Sequence, residues 1–200
     1  MSRMPSKKEF AKMCELYREW NEKINIVSRK DIDNLFEHHI LHSLAIHKYM
    51  EEHALLEDGL EFFDLGTGGG FPGIPLAMVM PSCHFTLCDS IAKKVKVAHA
   101  VAKDLKLKNV TCVNSRAENL PGPYDWVISR AVTSLDAFYP WVKGKFKKGI
   151  LYLKGGDVLA EIEQMCAKCK VDPAKVSVWP INDWLKDDYF AEKFVIEIRK

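Results

Sequence analysis

The chain has 200 residues, 48% hydrophobic and 28% charged, enough apolar material for one domain with its own core, so disorder is not the expected state. A net charge of +2 by itself favours no polyanionic partner. No apolar run is long enough to span a membrane, the basic opening segment lacks the apolar stretch of a secretory signal, and six cysteines in a chain of this size read as reduced thiols, so a cytoplasmic protein without membrane contact is expected.

In chain order, residues 6–20 place Phe10, Met13, Cys14, Tyr17 and Trp20 at helical spacing opposite lysines and glutamates. After a break at 25–29, Asp31 stands where it would cap a second helix reaching about residue 51. From Gly59 onward short apolar runs alternate with helical segments, the pattern of βα units and a mostly parallel sheet. Strands are expected at 60–65, 84–89, 109–114, 125–129 and 150–154, and helices at 74–80, 91–105, 134–142 and 157–169. Two further β-like runs, 175–179 and 194–199, have no helix between them, which predicts an antiparallel pair ending the sheet. The expected fold is α/β and Rossmann-like, a mostly parallel seven-stranded sheet with a C-terminal antiparallel hairpin, as in many methyltransferases. It is read as a single domain over 1–200, with an N-terminal helical extension (1–55) before a cofactor-binding core (56–200).

The chemistry concentrates in the segment from Phe62 to Gly73, which leaves a strand and enters a helix. Its glycines let the backbone approach a ligand closely, and the helix start offers unpaired N–H groups, so a nucleotide-like ligand is implied. Two ligands satisfy the pattern. Read from Asp64 through Gly66 and Gly68, it suits S-adenosylmethionine, with the carboxylate turned to the cationic methionine portion. Read as Gly68-x-Gly70-x-x-Gly73, it satisfies the dinucleotide fingerprint. Asp89, at the next strand end, would accept the ribose hydroxyls of either. Asp64 favours the first reading, because a carboxylate so near the turn would repel a pyrophosphate.

At these residues the sequence resembles a known family, the bacterial small-subunit ribosomal RNA methyltransferases that modify N7 of a guanine, also called the glucose-inhibited division protein B family. The resemblance is carried by separated segments in the family's order: Asn21-Glu-Lys-Ile-Asn25, His39-Ile-Leu-His-Ser-Leu44, the loop Asp64 to Pro75, Thr86-Leu-Cys-Asp-Ser90, Ser115-Arg-Ala-Glu118, Val127-Ile-Ser-Arg-Ala131 and Leu153-Lys-Gly155. His42 stands where many members have an aspartate. The resemblance implies an enzyme that uses S-adenosylmethionine to methylate 16S ribosomal RNA, acting as a monomer. It places Gly66 and Phe71 in the cofactor pocket, Ala117 and Glu118 beside the adenine, and Arg130 near cofactor and substrate.

N7 of guanine has a free lone pair and no proton to lose, so no residue is assigned as acid or base. Substrate positioning is expected from Arg130, Lys154 and His39. RNA contact is expected from the lysines of 91–108 and from Lys143, Lys145, Lys147 and Lys148. Cys166-x-x-Cys169 has no second pair, and His38, His39 and His42 lack a further ligand, so no metal is expected. Trp126 and Trp141 read as core or interface aromatics. Two other functions remain open on the residues alone: a small-molecule methyltransferase of the same fold, and a non-catalytic RNA- or nucleotide-binding module. NAD-dependent oxidation lacks a recognisable catalytic apparatus.

Overall fold

Strand alternation decides which side chains meet which helices. In the computed structural model, which describes residues 4–200, the strands are β1 (Glu61–Leu65), β2 (His84–Asp89), β3 (Val110–Asn114), β4 (Tyr124–Arg130), β5 (Phe146–Gly155), β6 (Val176–Pro180) and β7 (Lys193–Arg199). They form one sheet in the order β3-β2-β1-β4-β5-β7-β6. β1 to β5 pair in parallel, and β7 enters antiparallel between β5 and β6. The strand order reverses beside β1, which opens a crevice at the carboxyl ends of β1 and β4.

Each face of the sheet carries its own apolar cluster. Phe62, Trp126, Ile128, Leu151 and Leu153 face one way and meet the first helix α1 (Lys7–Lys23), α2 (His42–Glu52), α3 (Gly73–Val79) and α4 (Ala92–Asp104). Phe63, Val127, Ile150 and Tyr152 face the other way, against α5 (Leu135–Val142) and α6 (Val158–Cys169). The N-terminal helices therefore share a core with the sheet: Met13 and Tyr17 of α1 are fully buried in the same cluster as Phe62. Ser6 and Glu9 start α1 with a reciprocal capping box.

Three local expectations are corrected. Asp31 makes no side-chain cap bond. Its carboxylate instead receives the ring N–H groups of His38 and His39, and the second helical stretch begins as a 3₁₀ turn (Ile32–Asn34) and a π-helical segment (Phe36–Leu41) before α2. The residues joining β6 to β7 are not helix-free, since they hold a one-turn helix, α7 (Asn182–Leu185), and a 3₁₀ turn (Asp188–Phe190) that buries Phe190. β5 begins at Phe146, four residues before the apolar run that marks it in the sequence.

Candidate functional site

The loop after β1 folds back on the strand ends. Gly66 N and Thr67 N both donate to Cys88 O at the end of β2. Asp89 fixes the loop from the side: its Oδ2 accepts from Gly68 N at 2.9 Å and its Oδ1 from Ile91 N at 2.8 Å. Gly68 holds a positive φ of 57°, and a Cβ there would project into open space, so this backbone is bare toward a ligand.

That space is a cavity of about 550 Å³, lined by Ile26, Leu65 to Gly69, Phe71, Asp89 to Ile91, Lys94, Ser115 to Glu118, Arg130 to Val132 and Trp141. Its size suits a nucleoside-sized ligand. It brings together Gly66, Gly68, Phe71, Asp89, Ala117, Glu118 and Arg130, drawn from four separate segments. Asp64, Lys154 and His39 are not among the lining residues.

Alternation gives the reason for each. Asp64 lies on the same face of β1 as Phe62, so it points beneath the loop. It is fully buried, its Oδ2 accepts from Thr67 Oγ1 at 2.7 Å and Gly73 N at 2.8 Å, and its Oδ1 has no partner among the described residues. Burial pushes its pKa up to about 7, although the Thr67 and Gly73 hydrogen bonds and the Arg130 charge pull the other way. Asp64 thus builds the loop from behind. Lys154 lies on the opposite face of β5 from Leu151 and Leu153, where it donates to Thr133 O at 2.8 Å and pairs with Glu161 at 3.0 Å.

Arg130 ends β4 on the face of the N-terminal helices. Its guanidinium lies 5.0 Å over the Phe71 ring, and its Nη2 donates to His39 Nδ1 at 3.0 Å. His39 therefore carries its proton on Nε2, which donates to Asp31 at 2.6 Å. Burial first, and then the Arg130 charge, lower the His39 pKa to about 4 against the pull of Asp31, so the imidazole is neutral at neutral pH. His42 is buried behind this group, edge-on to Phe190, with its pKa lowered by burial, then by Arg130 and Lys193.

Several supporting residues carry no site signal in the sequence. Tyr17 of α1 donates to Gly69 O at 2.9 Å and packs on Phe71 at 4.5 Å. Tyr152 accepts from Val132 N and Thr133 N and donates to Thr133 O, shaping the loop after β4. Trp141, expected in the core or an interface, forms part of the cavity wall. Asn21 lies in a segment that carries the family resemblance, and its role is local: Oδ1 accepts from Ile26 N and Val27 N, holding Ile26 against Gly69.

The lysine clusters fall apart spatially. Lys94 of α4 lines the cavity. Lys145, Lys147 and Lys148 sit at the amino end of β5, the far end of the sheet, where they bond to Leu120 O, Asp125 and Glu57. Among the described residues no group of three or more His, Cys, Asp or Glu could hold a metal, and no helix is long and apolar enough to cross a membrane.

Residues 6–183 match the family model described as rRNA small subunit methyltransferase G, GidB. A protein named "Ribosomal RNA small subunit methyltransferase G" from Flavobacterium psychrophilum is 46% identical over 95% of this chain and 89% of its own length. A relative of the same name from Bacteroides fragilis is 43% identical over 96% of this chain and 92% of its own. Among solved structures, the magnesium protoporphyrin IX methyltransferase from Synechocystis PCC 6803 with bound SAM matches with a TM-score of 0.67 at 15% identity, covering 99% of this chain and 100% of that one. A SAM dependent methyltransferase from Aquifex aeolicus matches with a TM-score of 0.58 at 18% identity, covering 86% and 98%.

Proposed function

Because the chain belongs to the rRNA small subunit methyltransferase G family, we propose that it transfers a methyl group from S-adenosylmethionine to N7 of a guanine in 16S ribosomal RNA. The observation that carries this reading is the cavity at the carboxyl ends of β1 and β4, with Gly68 bare toward it and Asp89, Glu118 and Arg130 on its walls. These residues suit the cofactor. Asp89 keeps lone pairs for ribose hydroxyls after accepting its two backbone N–H groups. Ala117 and Trp141 offer apolar wall for the adenine, beside Glu118. The loop from Gly66 to Gly69, backed by Ile26 and Phe71, would hold the methionine end.

When bound, S-adenosylmethionine supplies an electrophilic methyl on a sulfonium. N7 attacks with its own lone pair, so the chain need supply no general base, and its residues contribute alignment and exclusion of water. Arg130, its guanidinium 5.0 Å over the Phe71 ring, is suited to a phosphate or to O6 of the guanine, not to N7, which becomes cationic. His39 holds Arg130, and Lys154, turned to the other face and paired with Glu161, is assigned no part in the transfer. The single-domain reading is supported by the core that α1 and α2 share with the sheet. A cytoplasmic site of action is supported by six unpaired cysteines, and a monomer is retained from the family resemblance.

The test is incubation with methyl-labelled S-adenosylmethionine and unmodified small ribosomal subunits, followed by mapping of the label. Label on N7 of one guanine is expected. Label on another atom, or transfer to small acceptors with none to RNA, overturns the proposal.

A further inference from the structure

An arginine that must present its charge to a large substrate needs its side chain held, because free rotation would spread the guanidinium over many positions. Phe71 supplies a flat support for Arg130 but no direction in its plane. Direction comes from His39 Nδ1, and an imidazole nitrogen accepts only when the proton sits on the other one. In the alternative tautomer Nδ1–H would face the Arg130 N–H, donor against donor. Something must select the tautomer, and the loop before α2 provides it. Asp31 accepts from His39 Nε2 at 2.6 Å on one oxygen and from His38 Nδ1 on the other.

The carboxylate is itself held in place. His38 stacks on Tyr189 at 3.4 Å, and the Lys193 ammonium lies 3.9 Å from the centre of the same Tyr189 ring. The π-helical turn (Phe36–Leu41) lets two consecutive histidines reach one acid, an irregularity of the kind that recurs at functional positions. Burial weakens the acidity of Asp31, but the hydrogen bonds from His38 and His39 outweigh it and the pKa is lowered, so the group stays ionised at neutral pH. Its side chain is 28% exposed, which sets it apart from the packed core.

We propose that Asp31 is a positioning residue for the transfer: its carboxylate fixes the Nε2–H tautomer of His39, and His39 in turn aims the Arg130 guanidinium along the wall of the cavity. The chain Asp31–His39–Arg130 joins a surface loop of the N-terminal extension to the end of β4. The inference rests on the methyl-transfer reading of the preceding subsection.

Two measurements on the full chain test it. In ¹⁵N-histidine spectra, His39 of the wild type is expected to show a protonated Nε2 and an unprotonated Nδ1, and Asp31→Ala to shift toward a tautomer mixture. In single-turnover methyl transfer to small-subunit RNA, Asp31→Ala is expected to lose about tenfold in rate, with cofactor affinity and melting temperature little changed. The double variant Asp31→Ala with Arg130→Ala should be no slower than Arg130→Ala alone, because residues acting through one another are not additive. A protonated Nδ1 in the wild type, an unimpaired Asp31→Ala, or a double variant slowed by the product of the two single effects overturns the proposal. If the wild type transfers no methyl to RNA, the methyl-transfer reading fails first; if it does and the double variant is multiplicative, only the role of Asp31 fails.

Discussion

Asp64 shows how one residue can be indispensable to a site it does not touch. Its Oδ2 joins Thr67 to Gly73 and so sets the curvature of the loop, while its other oxygen is buried without a partner. A Cβ at Gly73 would lie 2.7 Å from that Oδ2 and 2.1 Å from Leu87 Cδ2, so only glycine lets the helix start this close. The pKa of about 7 has a consequence for stability with a definite sign. A carboxyl raised above its unfolded value of 3.8 favours the folded state while protonated, and this contribution is lost as pH rises from 3.8 through about 7. His39, lowered from 6.5 to about 4, acts in the opposite sense over part of the same range, so the comparison must be between variant and wild type. Asp64→Asn keeps an acceptor for Thr67 and Gly73 without the charge. Its stability relative to wild type should rise between about pH 4 and about pH 7 and then level off, the gain reaching on the order of 4 kcal/mol. A pH-independent difference would show that Asp64 is not a desolvated acid.

Among the elements, the N-terminal extension is the one whose contribution to the site is least visible from its own pattern. The periodicity of α1 marks Tyr17 as an apolar-face residue, yet its hydroxyl holds Gly69 and its ring backs Phe71. The stretch from residue 24 to 31 has no regular structure and is held at Ile26 and Val27 by the Asn21 side chain, which makes three hydrogen bonds to them. Ile26 is thereby pressed onto Gly69 so closely that a Cβ there would lie 2.2 Å from its Cγ2. Asn21→Ala should cost about 1–3 kcal/mol of stability and also weaken S-adenosylmethionine binding, measured by titration calorimetry. Lost stability with unaltered affinity would mean that the strap only completes the core. The two lysine clusters show the converse. They look alike in sequence, but the strand direction of β5 puts Lys145, Lys147 and Lys148 at the amino end of the sheet, away from the crevice, and gives each a partner.

For the whole molecule, the relevant equilibrium links folding to cofactor binding. A ligand that binds only the folded chain at about 100 times its dissociation constant adds about 2.7 kcal/mol, or roughly 5–10 °C in melting temperature for a chain of this length. S-adenosylmethionine and its demethylated product should both produce such a shift, whereas NAD at the same concentration should not. A shift with NAD and none with S-adenosylmethionine would return the loop to its dinucleotide reading. The order of the strands was set by the sequence alone, since alternating apolar runs and helical periods are local properties. So was the ligand loop, because a glycine-rich turn between strand and helix has few other uses. The identity of many wall residues followed from the family resemblance, which reads position without geometry. Tertiary structure alone decided which face of the sheet each strand-end side chain takes. That choice sends Asp64 beneath the loop, turns Lys154 to Glu161, and joins Arg130 through His39 to Asp31, a residue 99 positions away. The reason is that a strand's alternation has a period of two but no absolute phase until the sheet is packed, and contacts between distant segments leave no local periodic trace.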